Sequence, residues 1–246
     1  MQTDFLFIHG GLRGGWCWEP TIEAMEAQGH HRLGKMVAPD MPGHGDYIDV
    51  RVEDCTIAGY VDTAVDAILT HDLRNLVMVG HSFAGLTMPY VVKRLPDRVR
   101  RVMFMACAVP AEGDSLEDLL ASMGKTTGEG LRDRERRWAR EWDLEYSTKR
   151  LGSRERAEWL LANLERERKN QPPRPNAEKV HRDGFADLVP LTWLLTVRDQ
   201  AFPAEWQLKF RDRLGGERVG LERLDAAHDA MISKPRELAE ILLRYA

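Results

Sequence analysis

Five short, almost wholly apolar runs constrain this chain more than any other feature. They are Phe5-Leu6-Phe7-Ile8, Met36-Val37-Ala38, Leu76-Val77-Met78-Val79, Val102-Met103-Phe104-Met105-Ala106 and Trp193-Leu194-Leu195-Thr196-Val197. A weaker sixth covers 219–224. A strand that does not alternate apolar with polar must bury both faces, which is the habit of a parallel sheet covered by helices on both sides. Stretches of helical period lie between the runs, at 18–28, 57–69, 85–95, 203–214 and 235–245. The second shows Val61, Val65, Ile68 and Leu69 on one face, and the last opens on Pro235, well placed in a first turn. This alternation predicts an α/β fold.

The pattern breaks between about 110 and 190. Arg132, Arg134, Arg136, Arg137 and Arg140 alternate with acids, while Leu131, Trp138, Trp142 and Leu144 supply an apolar stripe. The charge run reads as a solvated helix face. A second helical stretch covers 153–169, with a partial capping signal at Ser153 and with Trp159, Leu160 and Leu164 facing inward. Gln171-Pro172-Pro173-Arg174-Pro175 ends it. The expectation is a core domain built from 1–111 and 189–246, with a helical cap inserted at 112–188. A length of 246 residues suits one such domain.

A net charge of -4 gives no basic field, so nucleic acid is not an expected partner. No apolar run approaches the roughly 18 residues of a membrane span. Residues 1–4 carry no basic stretch, and 5–8 is too short for a signal sequence. Cys17, Cys55 and Cys107 are odd in number and widely spaced, which suggests neither a disulfide framework nor a metal site. The expected location is a reducing compartment, the cytoplasm. No metal or organic cofactor is implied, and a homodimer is left open.

Gly80-His81-Ser82-Phe83-Ala84-Gly85 follows an apolar run and precedes a helical stretch. This is the context that G-x-S-x-G requires to act as a nucleophile elbow. A sharp strand-to-helix turn strains the serine backbone and exposes its hydroxyl at the carboxyl end of the sheet. The helix start points free N–H groups at the same place. A serine hydroxyl is a weak nucleophile and needs a base, which in turn needs an orienting acid. On this fold the order is Ser, acid, His. His228 follows the last strand and precedes the final helix, whereas His30, His31, His71 and His181 sit on surface segments. The His81 side chain is expected to point away from Ser82. Asp199 follows the strand at 193–197, at the end where the acid belongs. Asp225 and Asp229 rank second, and Asp187 lies at the wrong end. The expected catalytic set is therefore Ser82, His228 and Asp199. The oxyanion donors are expected to be the backbone N–H groups of Phe83 and Gly11, with Gly10 allowing close approach of substrate.

These motifs together resemble the compact α/β hydrolases that include plant methylesterases, hydroxynitrile lyases and related bacterial esterases. The resemblance rests on 5–11 running into Gly14-Gly15-Trp16-Cys17-Trp18, on Ala38-Pro39-Asp40-Met41-Pro42-Gly43-His44-Gly45, on the 80–85 elbow, on 196–203 and on Ala227-His228-Asp229-Ala230-Met231. It implies a six-stranded, mostly parallel sheet that lacks the first two strands of larger hydrolases, and it favours Asp199 over Asp225. Trp16 and Trp18 read as packing where a helix begins. Lyase members carry threonine where this chain has Gly10, and lysine where it has Asp229, so the lyase reading recedes. Asp229 beside the base is expected to raise the His228 pKa slightly. The function expected is cleavage of a carboxylic ester, apolar or medium-sized, through an acyl-enzyme. The alternative is a non-hydrolytic member of the fold: a ligand receptor, a lyase or a C–C bond-cleaving enzyme. Gly10, Trp138 and Trp142 are the candidate substrate-binding residues, although the two tryptophans read more readily as cap core than as pocket wall.

Overall fold

The computed structural model describes residues 2–125, 148, 153–170 and 175–246. The apolar runs form the strands β1 (Thr3–Ile8), β2 (Leu33–Val37), β3 (Leu76–His81), β4 (Val99–Met105), β5 (Leu191–Thr196) and β6 (Gly220–Leu224). They make one 6-stranded sheet in the order β2-β1-β3-β4-β5-β6, with every neighbouring pair parallel. Around it lie α1 (Glu19–Gln28), α2 (Ile57–Thr70), α3 (Met88–Arg94), α4 (Leu116–Ser122), α5 (Arg154–Asn170), α6 (Ala204–Arg213), α7 (Ala230–Ser233) and α8 (Pro235–Leu243).

Side chains alternate across each central strand. Leu6, Ile8, Leu76, Met78, Val102, Phe104, Trp193 and Leu195 join one core with α2, α3 and α6. Phe5, Phe7, Val77, Val79, Met103, Met105 and Leu194 join a second core with α1, α8 and Leu160 and Leu164 of α5. Two buried faces explain why these strands are apolar at consecutive positions.

From β1 the chain moves to β2 on one side, then crosses back to β3 on the other. Right-handed crossovers in opposite directions place α1 and α2 on opposite faces of the sheet. The strand order therefore reverses between β1 and β3. The loops leaving their carboxyl ends part there and open a crevice, the usual ligand position of open α/β sheets.

Local signals set several helix ends. Thr56 Oγ1 accepts from the Gly59 amide at 2.9 Å to start α2. Ser115 and Asp118 form a reciprocal capping box at α4. Between β4 and β5 lie α4 and α5, within the segment assigned to the cap. Ser153 Oγ accepts from the Arg156 amide at 3.3 Å at the start of α5. Leu160 and Leu164 of that helix are buried, and Trp159 meets Trp16 edge-on at 5.3 Å. Trp138, Trp142, the arginine-rich run and the proline break at 171–174 lie outside the described residues. Among the described residues, no helix is long and apolar enough to cross a membrane.

Candidate active site

β3 ends on His81, and a 3₁₀ turn, Ser82–Leu86, follows at once. Ser82 has φ of 52°, a left-handed value that costs a non-glycine residue about 1–2 kcal/mol. The surroundings impose it. Ser82 O accepts from the Ala108 amide at 2.8 Å. A Cβ on Gly85 would come within 2.2 Å of Ala108 O, so only glycine lets that strand-end loop pass. Leu12 and Ala106 also have positive φ, 58° and 48°. They follow β1 and β4, so strained backbone gathers at the carboxyl ends of three adjacent strands.

The structure brings Ser82, His228 and Asp199 together from three separate loops. His228 Nδ1 lies 2.7 Å from Asp199 Oδ2, and His228 Nε2 lies 3.1 Å from Ser82 Oγ. Asp199 is buried, and burial works to raise its pKa; the charge and hydrogen bond of His228 outweigh that and hold the carboxyl below its usual range. An ionised carboxylate only accepts, so Nδ1 carries the proton and donates to it. Nε2 is then the acceptor for the serine hydroxyl. Burial works to lower the His228 pKa, but the Asp199 charge and hydrogen bond win and raise it.

Asp199 is held on every side. Oδ1 accepts from the amides of Ala201 at 2.7 Å and Phe202 at 2.9 Å, and Oδ2 accepts from Thr196 Oγ1 at 3.1 Å. Behind it stands Gln207 of α6, fully buried. Its Nε2 donates to Thr196 O at 3.0 Å, Thr196 Oγ1 at 3.0 Å and Phe202 O at 2.7 Å. Its Oε1 accepts from the Thr196 amide at 3.2 Å and Trp193 Nε1 at 3.4 Å. The competing acids are engaged elsewhere. Asp225 is exposed and paired with Arg198, Asp187 is exposed and paired with Arg218, and Asp229 is paired with Arg13. Asp229 does contribute to raising the His228 pKa, but the Arg13 charge opposes it.

His81 packs against His228: their rings lie 4.5 Å apart, and His81 Nε2 lies 3.1 Å from His228 O. Burial, with the positive charge on His228, lowers its pKa to about 3, so it stays neutral and donates through Nε2. A Cβ on Gly10 would sit 2.8 Å from Ser82 Cβ and 2.9 Å from His81 Nδ1. Gly10 is therefore a spacer between the β1 loop and the elbow. Among the described residues, no backbone carbonyl accepts from the Gly11 amide, and the Phe83 amide stands in the first turn of its helix, where no intrahelical acceptor exists. His9 steadies this loop. Its Nε2 accepts from the Met41 amide at 3.0 Å, so Nδ1 bears the proton and donates to Gly10 O at 2.8 Å. Burial holds its pKa at about 4.

The roles of Arg13, Thr196 and Gln207 went unread in the sequence, and the contact of His81 with His228 was not foreseen. A glutamine on an amphipathic helix, or an arginine in a loop, carries no local sign that it will be buried. Trp18 packs on Phe7 at 5.0 Å, and Trp16 Nε1 donates to Glu167 Oε1 of α5 at 3.2 Å, so both serve packing near the start of α1.

A nucleophile elbow at the switch point of a parallel sheet, with a histidine and a carboxylate converging on it, defines a class of hydrolase-like α/β proteins. The model of the alpha/beta hydrolase family matches residues 5–241, and this chain belongs to that family. It is 30% identical to the probable esterase PIR7A of Oryza sativa subsp. indica, over 98% of this chain and 96% of that protein. A carbendazim hydrolyzing esterase of Nocardioides sp. (strain SG-4G) is 29% identical over 48% of this chain, and the match spans about half of that relative's length, 48%. An extracellular α/β-hydrolase from a Paenibacillus species, described as sharing structural and functional homology with tobacco salicylic acid binding protein 2, superposes with a TM-score of 0.74 at 21% identity, covering 99% of each chain. At that identity the likeness speaks for the fold.

Proposed function

We propose that this protein is a serine hydrolase that cleaves carboxylic esters through an acyl-enzyme on Ser82. The observation that carries the reading is the chain Ser82 Oγ–His228 Nε2 at 3.1 Å and His228 Nδ1–Asp199 Oδ2 at 2.7 Å, set on a left-handed serine. Relatives named as esterases support it.

In the proposed reaction, Ser82 Oγ attacks the ester carbon while His228 Nε2 takes its proton. The carbonyl π electrons move onto oxygen, where the Phe83 and Gly11 amides donate to the developing charge. The imidazolium, held by Asp199, then protonates the departing alkoxide as the C–O bond breaks. Alcohol leaves and the acyl group stays on Ser82. Water repeats the sequence, giving the acid and free serine. Asp199 orients the ring and stabilises its cation without taking the proton.

Gly10 has no room for a side chain, and Asp229 is committed to Arg13, so neither site supplies the groups of the lyase members. Three buried, unpaired cysteines support a reducing compartment as the working location. Small, apolar to medium-sized esters are the proposed substrates. The test is labelling by a fluorophosphonate and cleavage of p-nitrophenyl acetate, compared with Ser82→Ala. Both activities vanish in the variant if the reading is right. Turnover that survives in Ser82→Ala removes it.

A further inference from the structure

Arg13 and Asp229 stand 216 positions apart and meet in a buried, two-point ion pair. Nε donates to Oδ1 at 3.2 Å and Nη2 to Oδ2 at 2.9 Å, with side chains only 3% and 7% exposed. Their places in the chain give the pair its meaning. Arg13 lies two residues after Gly11, and Asp229 directly follows His228. Arg13 Nη1 also donates to the carbonyl of Leu12 at 2.8 Å, the residue with φ of 58° in that same loop. Asp229 O accepts from the Ser233 amide at 3.0 Å, anchoring it to the start of α7.

Burying two charges is costly, and an apolar pair of similar volume is often as stable. Stability alone therefore does not account for an ion pair here. We propose that the Arg13–Asp229 pair is a positioning device: it ties the loop carrying the Gly11 amide to the loop carrying His228, and it neutralises the Asp229 charge beside the base. The inference rests on the hydrolase reading above.

Among the described residues, the charged and titratable groups acting on His228 are Asp199, Asp229, Arg13 and neutral His81. The Arg13 charge also acts on buried His9 and Cys17, as does that of Asp40. Burial works to raise the Asp229 pKa, but Arg13 overrides it and keeps the carboxyl well below its usual range, so Asp229 is an anion at any working pH. Left alone, that anion would favour the imidazolium; Arg13 opposes it.

The test is the acid limb of kcat/KM for p-nitrophenyl acetate, together with NMR titration of the His228 imidazole. Arg13→Met leaves the anion uncompensated and moves the limb up by about one pH unit. Asp229→Asn leaves the cation and moves it down by a similar amount. The double variant R13M/D229N restores the parent limb. Arg13→Lys keeps the charge but loses the two-point fork, so its limb stays while kcat falls about tenfold with KM little changed. Limbs that stay fixed or move the same way in both single variants overturn the electrostatic role. An unchanged kcat in Arg13→Lys overturns the positioning role. If the single-charge variants fail to fold, Arg13→Lys still decides the positioning role through kcat. NMR separates the two readings. His228 shifts as stated in a protein that does not label with fluorophosphonate defeat the hydrolase reading, whereas fixed shifts in a protein that does label defeat the ion-pair inference.

Discussion

Replacing Gln207 by leucine tests whether the acid loop is built or merely adjacent. The side chains are close in volume, so packing is little disturbed. What changes is three buried groups left unmet, the Thr196 amide, Trp193 Nε1 and Phe202 O, while Thr196 O keeps the Asp199 amide and Thr196 Oγ1 keeps Asp199. An unmet buried polar group costs about 1–3 kcal/mol. Taking the low end for three groups gives about 3 kcal/mol, and the extra apolar burial of leucine returns about 1 kcal/mol. The net of about 2 kcal/mol lowers Tm by about 4–8 °C in a chain of this size. Function follows through Phe202, whose carbonyl Gln207 holds and whose amide donates to Asp199 at 2.9 Å. With that loop loosened, kcat/KM falls about tenfold, equivalent to about 1.4 kcal/mol. Urea denaturation and thermal melts read the stability, and p-nitrophenyl acetate turnover reads the site. A Tm within 2 °C of the parent would refute the reasoning, because three unmet buried groups could not then be present.

Further outcomes follow from the same geometry. Because Asp199 raises the His228 pKa, the acid limb of kcat/KM should have its midpoint above about 6.5, and a midpoint below about 6 contradicts the pairing. His228⁺ adds stability below about pH 6.5 that is lost as pH rises through its folded pKa; the depressed carboxyls of Asp199 and Asp229 add stability above about pH 3.9 that is lost on acidification, so urea midpoints should fall steadily below pH 4. Gly10→Ala pushes a methyl to 2.8 Å from Ser82 Cβ, so kcat/KM should fall at least tenfold in a folded protein; circular dichroism and turnover measured together check this. Burial raises the Glu167 pKa and leaves Oε2 without a partner, while Oε1 accepts from the Gly45 amide at 2.9 Å. Glu167→Gln should therefore stabilise by about 1 kcal/mol near pH 7, and the gain should vanish below about pH 4, where both forms are neutral.

Strand positions, strand direction and the serine elbow were legible in the sequence because they depend on local pattern. A run such as Leu76–Val79 must be buried on both faces wherever it goes, and Gly80 to Gly85 permits a turn that few other residues allow. That Asp199 and His228 would lie at the carboxyl end of the sheet near Ser82 was also readable, since chain order on this fold places each after a particular strand. The partners of those residues were not readable. Gln207 lies eight positions beyond Asp199 on a helix whose other residues are mostly polar, and only docking of α6 against β5 turns it inward. Arg13 and Asp229 are separated by nearly the whole chain, and their attraction becomes strong only where folding excludes water between them. His81 has the same character, because its ring meets the base only once the final loop closes over β3. Local sequence determined which elements form and which atoms could react. Tertiary structure decided which polar groups lose their solvent, and so which of them hold the reacting atoms in place.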